Sequence, residues 1–446
     1  MTPSLFEMQR EMRARREAAV RRGVVAILDI GTSKIACLVL QFAPNVNAEP
    51  RGSDAVTVPT MGAFRVVGVG TTRSRGVRFG EIAVMDETER AIRTSVQRAQ
   101  KMAGLRVDDV IVSFSGGRPR SYGLSGEINV ENGEVTERDI GYAMAACDVP
   151  PYGENRQPIS AMPVSFTLDH QPGLSDPRGQ IGNKLAVDMH MLTVNDRVVQ
   201  NLLHCVRRCD LELAGLSISS FASGLSSLVE NEQELGAACI DMGAGTTGIS
   251  VFIKKQLIYA DAVRLGGDHI TNDIRQGLQV DSTVAERIKT LHGGVVATGV
   301  DDREMIEVPN PMAQWEDERR HISRSELIGV MRPRVEEILE EVRERLDASG
   351  FEYLPSQQIV LTGGSSQIQG IDELATRILG RRCRIGKPIR VMGLPQAATG
   401  PGFAAAVGLA LYASHPQDEC WDFEMPADRI GTRNVRRAMR WFRNNW

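Results

Sequence analysis

The chain has 446 residues, 42% hydrophobic and 24% charged, a balance that excludes wholesale disorder and allows about three compact units. Its formal net charge is −4, but residues 429–446 hold six arginines and no acidic residue, leaving −10 on the rest: a basic tail on an acidic body. Seven scattered cysteines, mostly in apolar runs, read as buried thiols of a reducing compartment, and His204, Cys205 and Cys209 lack a second cluster to complete a zinc set.

Residues 1–22 mix glutamates with arginines and have no apolar core, which excludes a signal peptide, and no run of about 18 apolar residues is present to span a membrane. Residues 24–40, VVAILDIGTSKIACLVL, are two apolar β-rich runs around a polar turn. Helical periodicity follows over 86–103, a strand over 110–115, a turn-rich stretch over 129–136 and a short helix over 137–146. The stretch 81–163 therefore reads as a small α+β unit inserted into a first half. An amphipathic helix covers 195–209.

The opening design returns over 236–253, GAACIDMGAGTTGISVFI, so the chain is expected to contain two similar α/β halves facing each other. Helices are expected over 281–291 and 325–346, with the charged, proline-containing segment 301–320 as a surface loop between them. A strand over 359–361 ends in Gly363-Gly364-Ser365-Ser366 and leads into a helix. Residues 402–411, GFAAAVGLAL, suit close helix packing, and 415–428 is a polar linker.

A glycine turn closing a strand aims several backbone N–H groups at one point and lets a phosphate approach the backbone. In the first hairpin this gives Asp29, Gly31, Thr32, Ser33 and Lys34; in the second, Asp241, Gly243, Ala244, Gly245, Thr246 and Thr247. The hydroxyls add donors and Lys34 a compact positive charge. Asp29 and Asp241 end their strands where carboxylates can hold a hydrated Mg²⁺ through water. Gly363, Gly364 and Ser365 can bracket a nucleoside.

LDIGTSKIACLV, IDMGAGTTGISVF, VLTGGSSQIQG and the AAAVGLAL helix together resemble the nucleotide-binding fingerprint of the actin-like ATPase superfamily. Within it, the further stretches 72–77, 113–117, 266–274 and 384–388 and the basic tail resemble the bacterial cell-division family FtsA, from about residue 23 onward. The resemblance implies an actin-like two-lobed α/β fold with an inserted α+β subdomain, and ATP between the lobes. It divides the chain into an extension (1–22), a first lobe (23–80, 164–235 and 388–412) holding the insertion (81–163), a second lobe (236–266 and 335–387) with a smaller subdomain (267–334), a linker (413–428) and a C-terminal amphipathic helix (429–446). In AERIKTLHG, Glu286 and Lys289 match the helix that contacts ribose and adenine in such proteins, although a solvated helix face would look the same. Actin-like ATPases that hydrolyse ATP well place Gln or Glu near the γ-phosphate, in the helix before the second hairpin; the corresponding LSISSFASGLSSL, 216–228, has neither. The expectation is ATP binding with at most slow hydrolysis and no identified catalytic residue.

The tail, TRNVRRAMRWFRNNW, places Val435, Ala438, Met439, Phe442 and Trp446 within about 100° of helix circumference, Arg433, Arg436, Arg437, Arg440 and Arg443 opposite, and Trp441 at the border. That suits a helix lying in an anionic membrane interface. A helix docked on the protein itself and a nucleic-acid arm are the alternatives, and the apolar stripe argues against the second. The FtsA resemblance implies a peripheral protein on the cytoplasmic face of the inner membrane at the division site. It also implies filaments of the chain with itself, capture of the FtsZ C-terminal peptide by the smaller subdomain, recruitment of later division proteins, and no nucleic acid. Arg334, with Arg324 nearby, matches the position facing the acidic peptide, though both arginines would also suit a solvated helix. A pilus-assembly or rod-shape protein, or a small-molecule kinase of the same superfamily, are the competing readings.

Overall fold

The structure, a computed structural model, describes residues 5–42, 64–153, 155–310, 319–417 and 419–420. The expected helix over 429–446, most of the linker over 413–428 and the segment 311–318 lie outside or largely outside the described residues.

In chain order, α1 (Leu5–Arg22) leads into β1 (Val24–Ile30), β2 (Lys34–Phe42), β3 (Phe64–Arg73), β4 (Val77–Arg78), β5 (Glu81–Ile82), α2 (Met85–Ala103) and β6 (Asp109–Phe114). Next come β7 (Arg120–Asn129), α3 (Glu137–Ala145), β8 (Arg156–Leu168), β9 (Gln171–Leu174) and β10 (Lys184–Asn195). The chain continues through α4 (Asp196–Arg208), β11 (Glu212–Ile218), α5 (Ser219–Ser227), α6 (Glu230–Leu235), β12 (Ala237–Met242), β13 (Thr247–Ile253) and β14 (Gln256–Val263). It ends with α7 (Gly267–Gly277), α8 (Ser282–His292), β15 (Met305–Pro309), β16 (Arg319–Ser323), α9 (Arg324–Ala348), β17 (Gln358–Thr362), α10 (Ile371–Leu379), β18 (Cys383–Ile385) and α11 (Ala404–Ser414).

Two sheets share one plan. The first runs β11-β6-β1-β2-β3 and the second β18-β17-β12-β13-β14. In each, a three-stranded antiparallel meander begins with the strand that carries the aspartate, and parallel strands extend the other side. The parallel side explains the continuous apolar runs: strands covered on both faces have no polar alternation, and Val25 to Leu28 are wholly buried. Each sheet has its own hydrophobic core, which confirms two similar α/β halves.

The expected insertion is displaced by the strand pairing. β6 pairs in parallel with β1, and α2 packs against β2 and β3, so both belong to the first sheet rather than to a unit starting at residue 81. The separate sheet is β7-β10-β8-β9, covered by α3 over a third core. Helix-then-strand order carries no sign of which sheet adopts the strand, because that pairing is non-local. A second correction concerns 301–320: β15 and β16 pair there, Met305 opposite Ser323, so the segment is a hairpin base and not wholly a loop.

Residues 5–22, left without a role by the sequence, form a helix that packs on β11 and β1. Met12 and Ala19 face the core, and Arg16 lays its guanidinium 4.9 Å from the centre of the Tyr412 ring on α11. Beneath them the Tyr412 hydroxyl donates to Glu419 Oε1 at 3.4 Å, and the next residue, Cys420, is buried in the core of the inserted sheet.

Candidate functional site

Both hairpin turns close with the same backbone bond. Gly31 N–H donates to the Lys34 carbonyl at 3.1 Å, and Gly243 N–H to the Thr246 carbonyl at 3.0 Å. The turns are brought face to face: a β-carbon on Gly245 would lie 2.5 Å from Thr32 Oγ1. Ser33 is exposed at the tip of the first turn.

Behind the turns stand two carboxylates, Asp29 buried and Asp241 half-buried, each bonded by a serine hydroxyl. Ser113 Oγ donates to Asp29 Oδ1 at 2.7 Å, and Ser223 Oγ to Asp241 Oδ2 at 2.7 Å. Burial pushes the Asp29 carboxyl upward, opposed by Ser113 and the Lys34 charge. It pushes Asp241 up to about 6; the Ser223 hydroxyl opposes this and the Asp29 charge adds to it. Lys34 feels both carboxylates, yet its own burial pulls it below the usual ammonium range. Its Nζ sits 3.3 Å from the centre of the Phe403 ring. Two like charges and one cation in a dehydrated cleft form a set that gains from a further cation.

The wall of the second lobe is built around Gly243. Its carbonyl accepts from Gly267 N–H at 2.9 Å and from Ser365 Oγ at 3.1 Å, and the Ala244 carbonyl accepts from Asp268 N–H at 2.8 Å. These bonds seat the start of α7 on the second turn. Gly363 has φ of 85°, a conformation that favours glycine, and a β-carbon there would run into Asp241 Oδ1. Gly364 follows, exposed. Lys289 reaches from α8 to the Gly267 carbonyl at 3.1 Å, Thr271 Oγ1 at 2.8 Å and Glu286 Oε2 at 2.6 Å. With its side chain 11% exposed, Lys289 is part of this wall and not a solvated charge.

The remaining expected residues divide. Thr247 is fully buried and its hydroxyl donates to the Leu265 carbonyl at 2.9 Å, so it braces the turn; Thr246 is also buried. Arg334 forms a two-toothed ion pair with Asp273, at 2.6 and 3.2 Å, and also meets Glu337. Arg324 is largely buried and ties Asp301, Gln369 and the His292 carbonyl together. Val435, Arg436, Met439, Arg440, Trp441, Phe442 and Trp446 lie outside the described residues. Sequence reading missed Ser113, Ser223 and Thr271. Ser223 stood inside the serine-rich segment already singled out, but the symmetry of the two halves would not have found it: Ser113 lies opposite Asp29 across β1–β6, whereas the counterpart across β12–β17, Thr362, donates to the Gly386 carbonyl.

The donor set fits a hydrated Mg²⁺ held through water by Asp29 and Asp241. Both are hard oxygen donors held by a serine hydroxyl, and no group of three or more potential ligands among the described residues would strip the ion of its water.

Comparison with known proteins agrees with this architecture. A family model described as cell division protein FtsA matches residues 238–408, and one described as the SHS2 domain inserted in FtsA matches 116–193. The latter coincides with the β7–β10 sheet. The chain is 41% identical over 392 residues to cell division protein FtsA of Rhizobium meliloti, covering 88% of this chain and 87% of that one. It is 31% identical to the Pseudomonas aeruginosa protein of that name over 435 residues, covering 96% and 100%. Among solved structures, the PilM-PilN type IV pilus biogenesis complex is similar at a TM-score of 0.58 and 16% identity, over 88% of this chain and 99% of that one. MreB 5 of Spiroplasma citri bound to AMPPNP is similar at 0.51 and 14%, over 87% and 95%. The fold is thus the actin-like ATPase fold with an inserted subdomain.

Proposed function

The chain belongs to the FtsA family of cell-division proteins, and on that premise we propose that it is an ATP-dependent scaffold of the division site. It binds ATP with Mg²⁺ between its lobes, assembles with copies of itself into actin-like filaments, and tethers FtsZ to the cytoplasmic face of the inner membrane while recruiting later division proteins. The observation that carries the nucleotide reading is the pair of serine-supported aspartates behind two glycine turns, with Lys34 between them. The MreB 5 structure, on the same fold, holds AMPPNP.

In that site, the N–H groups of residues 32–33 and 244–246 would receive the phosphate oxygens, while Gly31 and Gly243 close the turns and let the phosphate approach the backbone, with Lys34 beside them. Asp29 and Asp241 would hold the Mg²⁺ waters, and Mg²⁺ when bound supplies neutralisation of phosphate charge. Glu286, Lys289, Gly363, Gly364 and Ser365 would line the nucleoside. Three of the five serines of α5 are engaged, Ser223 by Asp241, Ser226 by the Ala404 carbonyl and Ser227 by Thr362, and a serine hydroxyl is in any case a poor base. None can act as a base for water, so turnover is slow and the nucleotide serves lobe closure and assembly. A turnover of ~1–100 s⁻¹, the range of efficient kinases, would contradict this.

The arginine-faced tail would bind anionic lipid through Val435, Met439, Phe442, Trp441 and Trp446, with Arg436 and Arg440 at the headgroups. The acidic tail of FtsZ would dock on the smaller subdomain, where Arg334 can exchange Glu337 for a peptide carboxylate. Arg324 would act indirectly, by holding β16 in place. Co-sedimentation with anionic vesicles and an FtsZ tail peptide, with and without ATP, tests the assembly as a whole. Phe442→Glu with Trp446→Glu should abolish pelleting, and Arg334→Ala should lower peptide capture; unchanged values in both would defeat the tether.

A further inference from the structure

The two-residue turn between β4 and β5 is built against local preference. Val77 pairs with Ile82 and Arg78 with Glu81, leaving Phe79 and Gly80 as the turn, with φ of 52° and 70°. Left-handed φ at both central positions marks the type I′ hairpin, whose first position favours Asn, Asp or Gly. A phenylalanine there occupies a sparsely populated conformation that surrounding contacts must hold. Burial does not hold it, because Phe79 is 37% exposed.

What holds the ring is the opposite lobe. Its centre lies 5.7 Å from that of His269, tilted by 36°, at the start of α7, and Arg264 places its guanidinium carbon 4.7 Å from the same ring. The turn also touches both glycine hairpins. Gly80 N–H donates to Thr32 Oγ1 at 3.1 Å, and a β-carbon on Gly245 would lie 3.0 Å from Phe79 N. By accepting from Gly80, the Thr32 hydroxyl keeps its own proton for a further acceptor in the cleft.

We propose that the Phe79–Gly80 turn is a clasp across the mouth of the phosphate cleft: the ring, held by Arg264 and His269, keeps the lobes closed, and the Gly80 N–H orients the Thr32 hydroxyl toward phosphate. The clasp thereby sets how fast nucleotide leaves. This deepens, and rests on, the ATP reading of the same cleft.

Phe79→Asn separates the clasp from the fold. It installs the preferred Asn-Gly turn and keeps Gly80, while removing the ring. Release of a fluorescent N-methylanthraniloyl ATP from the full-length protein with Mg²⁺ would be followed by stopped flow for wild type, Phe79→Asn, Phe79→Trp and Arg264→Ala. Loss of one aromatic pair and one cation–π contact should speed release by about 5- to 30-fold in Phe79→Asn, and less in Arg264→Ala. Phe79→Trp should stay within about 2-fold of wild type, because it retains a ring for the cation. In parallel, hydrogen exchange at the first turn of α7 is measured without nucleotide and should quicken in Phe79→Asn. A wild type that takes up the analogue but releases it no more slowly than Phe79→Asn overturns the clasp. A wild type that takes up none overturns the ATP reading, and the exchange data then decide the clasp alone: unchanged exchange sinks it.

Discussion

Replacing Glu419 by Gln should change how firmly residues 419–420 are docked against α11 and the inserted sheet, and should do so in a pH-dependent way. Glu419 is 7% exposed, and burial pushes its carboxyl up to about 8, against the pull of Arg16, Tyr412 and Arg13. Undocked, the carboxyl would titrate near its ordinary 4.5. Between those values the docked form holds the proton and the undocked form has lost it. Docking is therefore strongest below about 4.5 and weakens until pH passes about 8. At ~1.4 kcal/mol per pKa unit the full window corresponds to at most roughly 5 kcal/mol. Cys420, adjacent and 4% exposed, is the reporter. Alkylation of Cys420, followed by peptide mass spectrometry, should run faster in wild type than in Glu419→Gln. The ratio of the two rates, which cancels the thiol's own ionisation, should climb by up to about tenfold per pH unit between about 5 and 8 and then level off. A ratio independent of pH would refute the reasoning.

Other perturbations reach the cleft and the joints between lobes. Ser113→Ala and Ser223→Ala each remove a hydroxyl bonded to a carboxylate of the cleft, an interaction of about 1.5–3 kcal/mol. Calorimetry should show Mg-ATP binding weakened by about tenfold or more, and unchanged affinity would mean the serines do not serve the aspartates. Gly408→Ala would drive a methyl group into the Ala222 carbonyl where α11 crosses α5, so overpacking of about 3 kcal/mol should lower the urea midpoint of unfolding. Ser121 Oγ on β7 donates to the Ala260 carbonyl on β14 at 3.0 Å and accepts from Ala260 N–H at 2.7 Å, stitching the inserted sheet to the second lobe. Ser121→Ala should quicken hydrogen exchange along β14 by about tenfold, as expected from a loss of roughly 1–1.5 kcal/mol, and leave the interior of the first sheet unaffected.

The two aspartate hairpins were legible because everything that defines them is local. An apolar run, a turn of Asp, Gly and hydroxyl residues, and a second apolar run lie within about 18 residues, and the repeat announces the two halves. Gly363 was legible for the same reason. The supports of the aspartates were not. Ser113 is 84 residues from Asp29, and nothing in VIVSF tells its serine from any other at a strand end. The edges of the insertion failed likewise: β6 carries the apolar pattern of a central strand, but its partner, β1, lies some 80 residues upstream. Helix α1 was overlooked because arginines dominate its composition, although Met12, Ala19 and Arg16 share the face that packs on the first lobe.

Arg16 also shows why charge counting misreads such a helix. A guanidinium over an aromatic ring beside a buried carboxyl belongs to the interior, even though the same residue on a helical wheel looks like solvent-facing polarity. The same reversal separates Arg324 from Arg334. Both stand on α9 and both suggest an acidic partner, but Arg324 is 12% exposed and fixes three neighbouring segments, whereas Arg334 is 27% exposed with one of its two carboxylates on its own helix. An incoming peptide can displace a partner only where water already reaches the pair, because a buried arginine would first have to abandon Asp301. On the proposed docking of an acidic peptide, Arg334 is the arginine that would bind it, and Arg324 the one that holds the shape of the subdomain.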